Sequence, residues 1–177
     1  MSFNRKLLGS LLFAGSLMAS AASAQTEIKL GHVGEPGSLF ARSSEEFARH
    51  DRHAEATRRA VRAWGLEILC AEPAEYSSSL TAVLVPEGHD ADHLRRVILE
   101  RFDMSLGTGL AKLAGKVFRI GHLGDFNDLS LAGTLAGVEM GLTIAGIPHR
   151  SGGLDAALRY LEGESRGSAA SQTKAAE

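Results

Sequence analysis

Between Leu129 and Ile147 the chain runs for 19 residues with a single charge, Glu139, and with glycines at 133, 137 and 141. So apolar a stretch has two structural outcomes. It can span a membrane, packing through small residues spaced four apart, or it can be a helix enclosed by the rest of a protein. Glu139 falls in mid-span, Thr134 and Thr143 dilute the run, and no aromatic belt flanks it, all of which argue against a span. The reading is therefore a buried helix whose glycines admit close neighbours. Asn127 is placed to cap it, Leu131, Leu135, Val138 and Leu142 point inward, and Gly146 and Pro148 end it. Such a helix needs other layers to surround it.

The flanking sequence supplies them. From about His50 an Arg-rich helix carries Ala54, Thr57, Val61 and Trp64 on one stripe, with Arg52, Glu55, Arg59 and Arg62 on the solvated side, until Gly65 stops it. Leu66 to Cys70 and Leu80 to Val85 read as strands, the second closed by Pro86. Asp90 caps a helix through Phe102, buried along Leu94, Val97, Ile98 and Phe102. A glycine-punctuated stretch from Gly107 to Gly115 leads into a third strand, Lys116 to His122. Leu154, Ala157, Leu158 and Leu161 mark a short last helix. The order helix, two strands, helix, strand, helix predicts an α+β fold with helices on one face of a mostly antiparallel sheet.

The N-terminus has a different texture. Arg5 and Lys6, the apolar run Leu7 to Met18 and the small-residue site Ala22-Ser23-Ala24 form a secretory signal over residues 1–24. Glu27 to Val33 alternates as a strand, and Ser38 is placed to cap a helix from Leu39 to about Ala48. Residues 163–177 are small, polar and unpatterned, and read as a disordered tail.

The 177 residues suit one domain. A net charge of −2 lacks the basic footprint of a nucleic-acid binder. Cys70, as the one cysteine, excludes an internal disulfide and reads as a small core residue. His89 and His93 straddle a helix start, and His50 and His53 offer two ligands without an evident third, so the four read as surface histidines and no metal site is expected. Gly109 and Gly115 are five residues apart, and Val117 follows Lys116, so the phosphate-loop pattern fails. Arg119 remains. An arginine on the apolar strand Val117-Phe118-Arg119-Ile120 either faces solvent at an edge or grips an anion through its planar fork.

The segment Gly107-Thr-Gly-Leu-Ala-Lys-Leu-Ala-Gly-Lys-Val-Phe-Arg-Ile-Gly-His-Leu-Gly-Asp125 resembles class V pyridoxal-phosphate aminotransferases, in the serine–glyoxylate and alanine–glyoxylate branch. Arg58 to Leu66, Val85-Pro86-Glu-Gly88, Leu135 to Met140 and Gly146-Ile-Pro-His-Arg150 agree with it. The resemblance covers residues 50–162 and implies the small C-terminal domain of a fold-type-I aminotransferase. It further implies that Arg119 binds the carboxylate of a small amino acid or 2-oxo acid. In that family the cofactor lysine and its pyridine and phosphate partners lie in a large N-terminal domain, to which nothing here corresponds. Lys112 and Lys116 belong to the small-domain motif. No catalytic or cofactor-binding residue is therefore expected, and the chain alone is predicted to be inactive and not to bind pyridoxal phosphate.

Residues 25–49 resemble the start of a TRAP-type transporter solute-binding protein, through Ile28 to Phe40 and Ser44 to Arg49. The two resemblances meet near His50, as in a fusion of two truncated genes. They imply different compartments, periplasmic or secreted from the leader and cytoplasmic from the aminotransferase, with no membrane span after signal cleavage. The alternative functions are a truncated periplasmic receptor for an organic acid and a non-catalytic dimerisation module. The expected partners are a second copy or a full-length aminotransferase, with an apolar patch exposed where the small domain would meet a large one.

Overall fold

The computed structural model describes residues 39–163. The signal, the first strand and the tail all lie outside the described residues. Helix α1 spans Leu39–Trp64, β1 Glu67–Ile68, β2 Leu80–Leu84, α2 Ala91–Phe102, β3 Gly107–Thr108, β4 Val117–Gly121 and α3 Asp128–Ile144. A last helix, α4, covers residues 153–163. The strands form one antiparallel sheet in the order β1-β2-β4-β3, so the expected α+β architecture is the observed one.

Local signals place most element ends. The Asp90 side chain accepts the Asp92 amide proton at 2.8 Å, and Asn127 accepts that of Ser130 at 2.8 Å, so each satisfies an amide that a helix start leaves unpaired. Gly65 follows α1 at φ +76°, a left-handed conformation cheap only for glycine. Two expectations are corrected. The helices expected on either side of residues 48–50 are one continuous helix, because Ala48, Arg49 and His50 contain no glycine or proline to break the hydrogen-bond ladder. The glycine-rich stretch also contributes a short edge strand, β3, paired with β4 through Gly107↔Arg119 and Thr108↔Phe118.

The core lies between the helices and one sheet face. Thr81 and Val83 of β2 and Phe118 and Ile120 of β4 point into it. They meet Val61 and Trp64 of α1, Leu94 and Ile98 of α2, and Leu131, Leu135, Val138 and Leu142 of α3. Each such large side chain, fully removed from water, contributes roughly 1.5–3 kcal/mol before entropy is counted. On α3, Gly137 and Gly141 let Met104 and Ile98 press against the backbone, whereas Gly133 faces open space. The outer side of α3 leaves Leu129 (82%), Met140 and Ile144 exposed, so the helix is enclosed on one side only. Among the described residues no helix is long and apolar enough to cross a membrane.

Candidate functional site

Successive side chains on a strand alternate between faces. Phe118 and Ile120 fill the core, so Arg119 stands on the outer face of the sheet. Its in-register neighbours are Ala82 on β2 and Gly107 on β3, the two smallest residue types. The row Ala82–Arg119–Gly107 is therefore flat except for the arginine. The Arg119 Nε is buried, and among the described residues no group accepts its proton. A buried guanidinium donor normally has a partner, because leaving one unmade costs about 1–3 kcal/mol or more.

Beside this row a cleft of ≈ 180 Å³ opens over β1 and β2, lined by Arg58, Ile68, Cys70, Tyr76, Leu80 and Ala82. Ala82 belongs to both the row and the cleft. The Arg58 guanidinium lies 5.0 Å from the centre of the Tyr76 ring, and its Nε donates to Glu55 at 3.2 Å. Cys70, expected in the core, instead lies half-buried on the cleft wall with its Sγ 3.4 Å from the Glu72 carbonyl. The strand expected to carry it ends at Ile68, so Cys70 lies beyond β1, in the segment that leads to the 3₁₀ turn Pro73–Glu75.

The loop that leaves β4 is held by the first half of the Arg-rich helix. Arg49 donates to the Gly124 carbonyl at 2.8 Å, and His50 Nε2 accepts the Gly124 amide proton at 3.0 Å. Arg52 grips the Asp128 carboxylate with both terminal nitrogens, and His53 Nε2 meets the same carboxylate at 2.9 Å. Arg52 is thus not on a purely solvated face. His53, expected at the surface, is fully buried. It lies four residues before Thr57 on the same stripe, and that spacing signals its burial.

His122 is also fully buried. Its Nδ1 lies 3.1 Å from the Ser78 carbonyl and its Nε2 3.0 Å from Thr81 Oγ1. The carbonyl can only accept, so Nδ1 carries the proton and Nε2 accepts from the threonine hydroxyl. Burial, against the Ser78 carbonyl and with help from the nearby Arg58 and His53, pushes the imidazole down to about 4. His122 is therefore neutral near pH 7. It continues the Phe118–Ile120 alternation, a period-two signal for its inward face.

Pyridoxal phosphate needs a lysine for its Schiff base, activated by desolvation or a neighbouring cation. Among the described residues the lysines are Lys112, on the 3₁₀ turn Ala111–Leu113, and Lys116, and both are exposed. Neither has the desolvated setting that this chemistry requires of its lysine. Also among them, no three His, Cys, Asp or Glu side chains gather where they could hold a metal ion. His89 is half-buried and His93 exposed.

No family model matches the chain. Comparison with individual proteins gives a clear result: over its C-terminal part the chain is homologous to class V aminotransferases of the serine/alanine–glyoxylate type. It is 47% identical over 116 residues to serine–glyoxylate aminotransferase of Methylorubrum extorquens, covering 65% of this chain and 29% of that protein. It is 45% identical over 131 residues to L-aspartate–glyoxylate aminotransferase of Paracoccus denitrificans, covering 73% of this chain and 32% of that protein. Among solved structures, ureidoglycine–glyoxylate aminotransferase from Bacillus subtilis superposes on 70% of this chain and 31% of its own, with a TM-score of 0.62 and 29% identity. The chain thus spans about a third of the length of these relatives.

Proposed function

We propose that residues 50–162 are the small domain of a glyoxylate-type transaminase and that Arg119 is its carboxylate clamp. The observation that carries this reading is the buried, unpartnered Nε of Arg119 on the outer face of the sheet, between Ala82 and Gly107. A guanidinium offers a planar fork to a carboxylate, and a charge-assisted bidentate pair is stronger than neutral hydrogen bonds. The substrate class is the small amino acids and 2-oxo acids, which share the carboxylate. The amino donor is set elsewhere, and the relatives' names differ in it, serine in one and aspartate in another.

Transamination would move the amino group through pyridoxal phosphate, whose pyridine ring serves as the electron sink. This chain's own residues hold and orient the acid. The described lysines do not suit the Schiff base, and the polypeptide alone is expected to show no turnover with serine and glyoxylate. The homology covers the segment that bears Arg119, which favours this reading over a truncated solute receptor. Within the same proposal, residues 1–24 are a secretory leader, residues 25–49 derive from a solute-binding protein, and the two parent sequences join inside α1.

The test uses glycolate, a stand-in for glyoxylate that does not condense with amines, titrated into the ¹⁵N-labelled full chain by NMR. Saturable shifts of Arg119 and its strand neighbours, abolished in Arg119→Ala, are expected. Equal binding by Arg119→Ala would overturn the clamp. A single-lysine adduct after pyridoxal phosphate and borohydride, accompanied by turnover, would overturn the claim that this chain is inactive alone.

A further inference from the structure

Gly107 lies opposite Arg119 on the edge strand β3. A methyl group built at residue 107 would sit 3.0 Å from Arg119 Cβ, 3.0 Å from its Nε and 3.5 Å from its Cζ. The arginine stem therefore crosses β3 directly over the glycine backbone, in the space that any other side chain would occupy. Gly107 does not have a positive φ, so its conformation is open to ordinary residues. What is particular to glycine here is the missing Cβ. Gly121, two residues after Arg119 on the same outer face, has nothing within 4 Å of its corresponding position, so the crowding by the Arg119 side chain falls on residue 107 and not on that neighbour.

We propose that Gly107 is a positioning residue for Arg119. Its bare backbone lets the stem lie flat across the edge strand and fixes the guanidinium where it meets a carboxylate. This rests on the clamp reading of Arg119 and deepens it. A methyl group at 107 pushes Nε off the strand and turns the fork while leaving the charge in place. Specificity for small carboxylates then depends on a residue that does not itself touch the ligand.

The experiment compares the full chain with Gly107→Ala, Gly121→Ala and Arg119→Ala, using glycolate titration by NMR, the Arg119 Nε–H resonance and thermal melting. The expected result is that Gly107→Ala melts like the native chain, moves the Nε–H resonance and binds glycolate at least ten-fold more weakly, while Gly121→Ala binds normally. Native binding by Gly107→Ala alongside lost binding in Arg119→Ala overturns the positioning role and leaves the clamp standing. Native binding by Arg119→Ala overturns both. If Gly107→Ala does not fold, the native chain decides: a nuclear Overhauser contact from Gly107 Hα to the Arg119 Nε–H, together with a glycolate-induced shift of that resonance, supports the proposal, and absence of the contact overturns it.

Discussion

Trp64 and Glu139 lie 75 residues apart in sequence and meet in a 2.9 Å hydrogen bond, from the indole Nε1–H to a carboxylate oxygen. The same carboxylate accepts the amide protons of Gly152 at 2.7 Å and Leu154 at 3.0 Å. The lone charge of the apolar α3 stretch thus caps the start of α4 and anchors the chain's one tryptophan. Burial acts to raise the Glu139 carboxyl, but the hydrogen bonds from Trp64, Gly152 and Leu154 prevail and hold it below its ordinary value. Its contribution is therefore present above the unfolded-state value near 4.5 and is lost as pH falls through the lower folded value. Glu139→Ala should cost about 2–3 kcal/mol, since three donors lose a charged acceptor. Urea unfolding at pH 7, followed by the fluorescence of Trp64, measures it directly.

The glycines of α3 should separate by their neighbours. A Cβ at Gly141 would lie 2.3 Å from Ile98 Cγ1, and overpacking of that kind costs about 1–3 kcal/mol. At Gly137 the obstacle is the tip of Met104, a flexible side chain that can turn aside, so Gly137→Ala should cost less. At Gly133 nothing lies within 4 Å. Gly133→Ala should stabilise by about 0.5–1 kcal/mol, the usual gain from replacing a mid-helix glycine. Three denaturation midpoints test the order, and equal effects at 133 and 141 would contradict the α2–α3 contact.

His122 makes stability depend on mildly acidic pH. Its folded value, about 4, lies below the ordinary imidazole value of 6.5. As pH falls below about 6.5 the unfolded chain binds a proton that the folded chain refuses, so stability declines until about pH 4. The slope for one such proton is at most about 1.4 kcal/mol per pH unit. His122→Gln should be less stable at pH 7 and should show a shallower loss between pH 6.5 and 5. An unchanged slope in that window would mean that the imidazole is not shielded.

Gly153 provides a check on the Trp64 anchor. A methyl group there would fall 2.1 Å from the indole Nε1, against a rigid ring rather than a flexible tip. Gly153→Ala should break the Glu139 bond and shift the fluorescence of Trp64 in the native state, with a loss of about 1–3 kcal/mol in urea. A native-like spectrum would show that α4 can slide away without cost.

Asp90 and Asn127 mark helix starts because a cap acts on amides two or three residues away. Ala54, Thr57, Val61 and Trp64 mark a buried stripe because helical geometry repeats every 3.6 residues. Arg119 stands out on its strand because one charge among apolar neighbours is visible locally. Less local are the single helix through Ala48 to His50, across which the composition changes, and the pairing of His53 with Asp128, which lies 75 residues away.

Local sequence preferences mark most of the helices and strands, and the charged residue on an apolar strand, because those preferences arise within a turn or a strand pair. That Glu139 caps α4, that Gly107 underlies Arg119 and that Ile98 presses on Gly141 emerges with the assembled fold. Those contacts come from sheet register and helix packing between residues that are far apart in the chain, and no local periodicity encodes which distant side chain will fill a given gap.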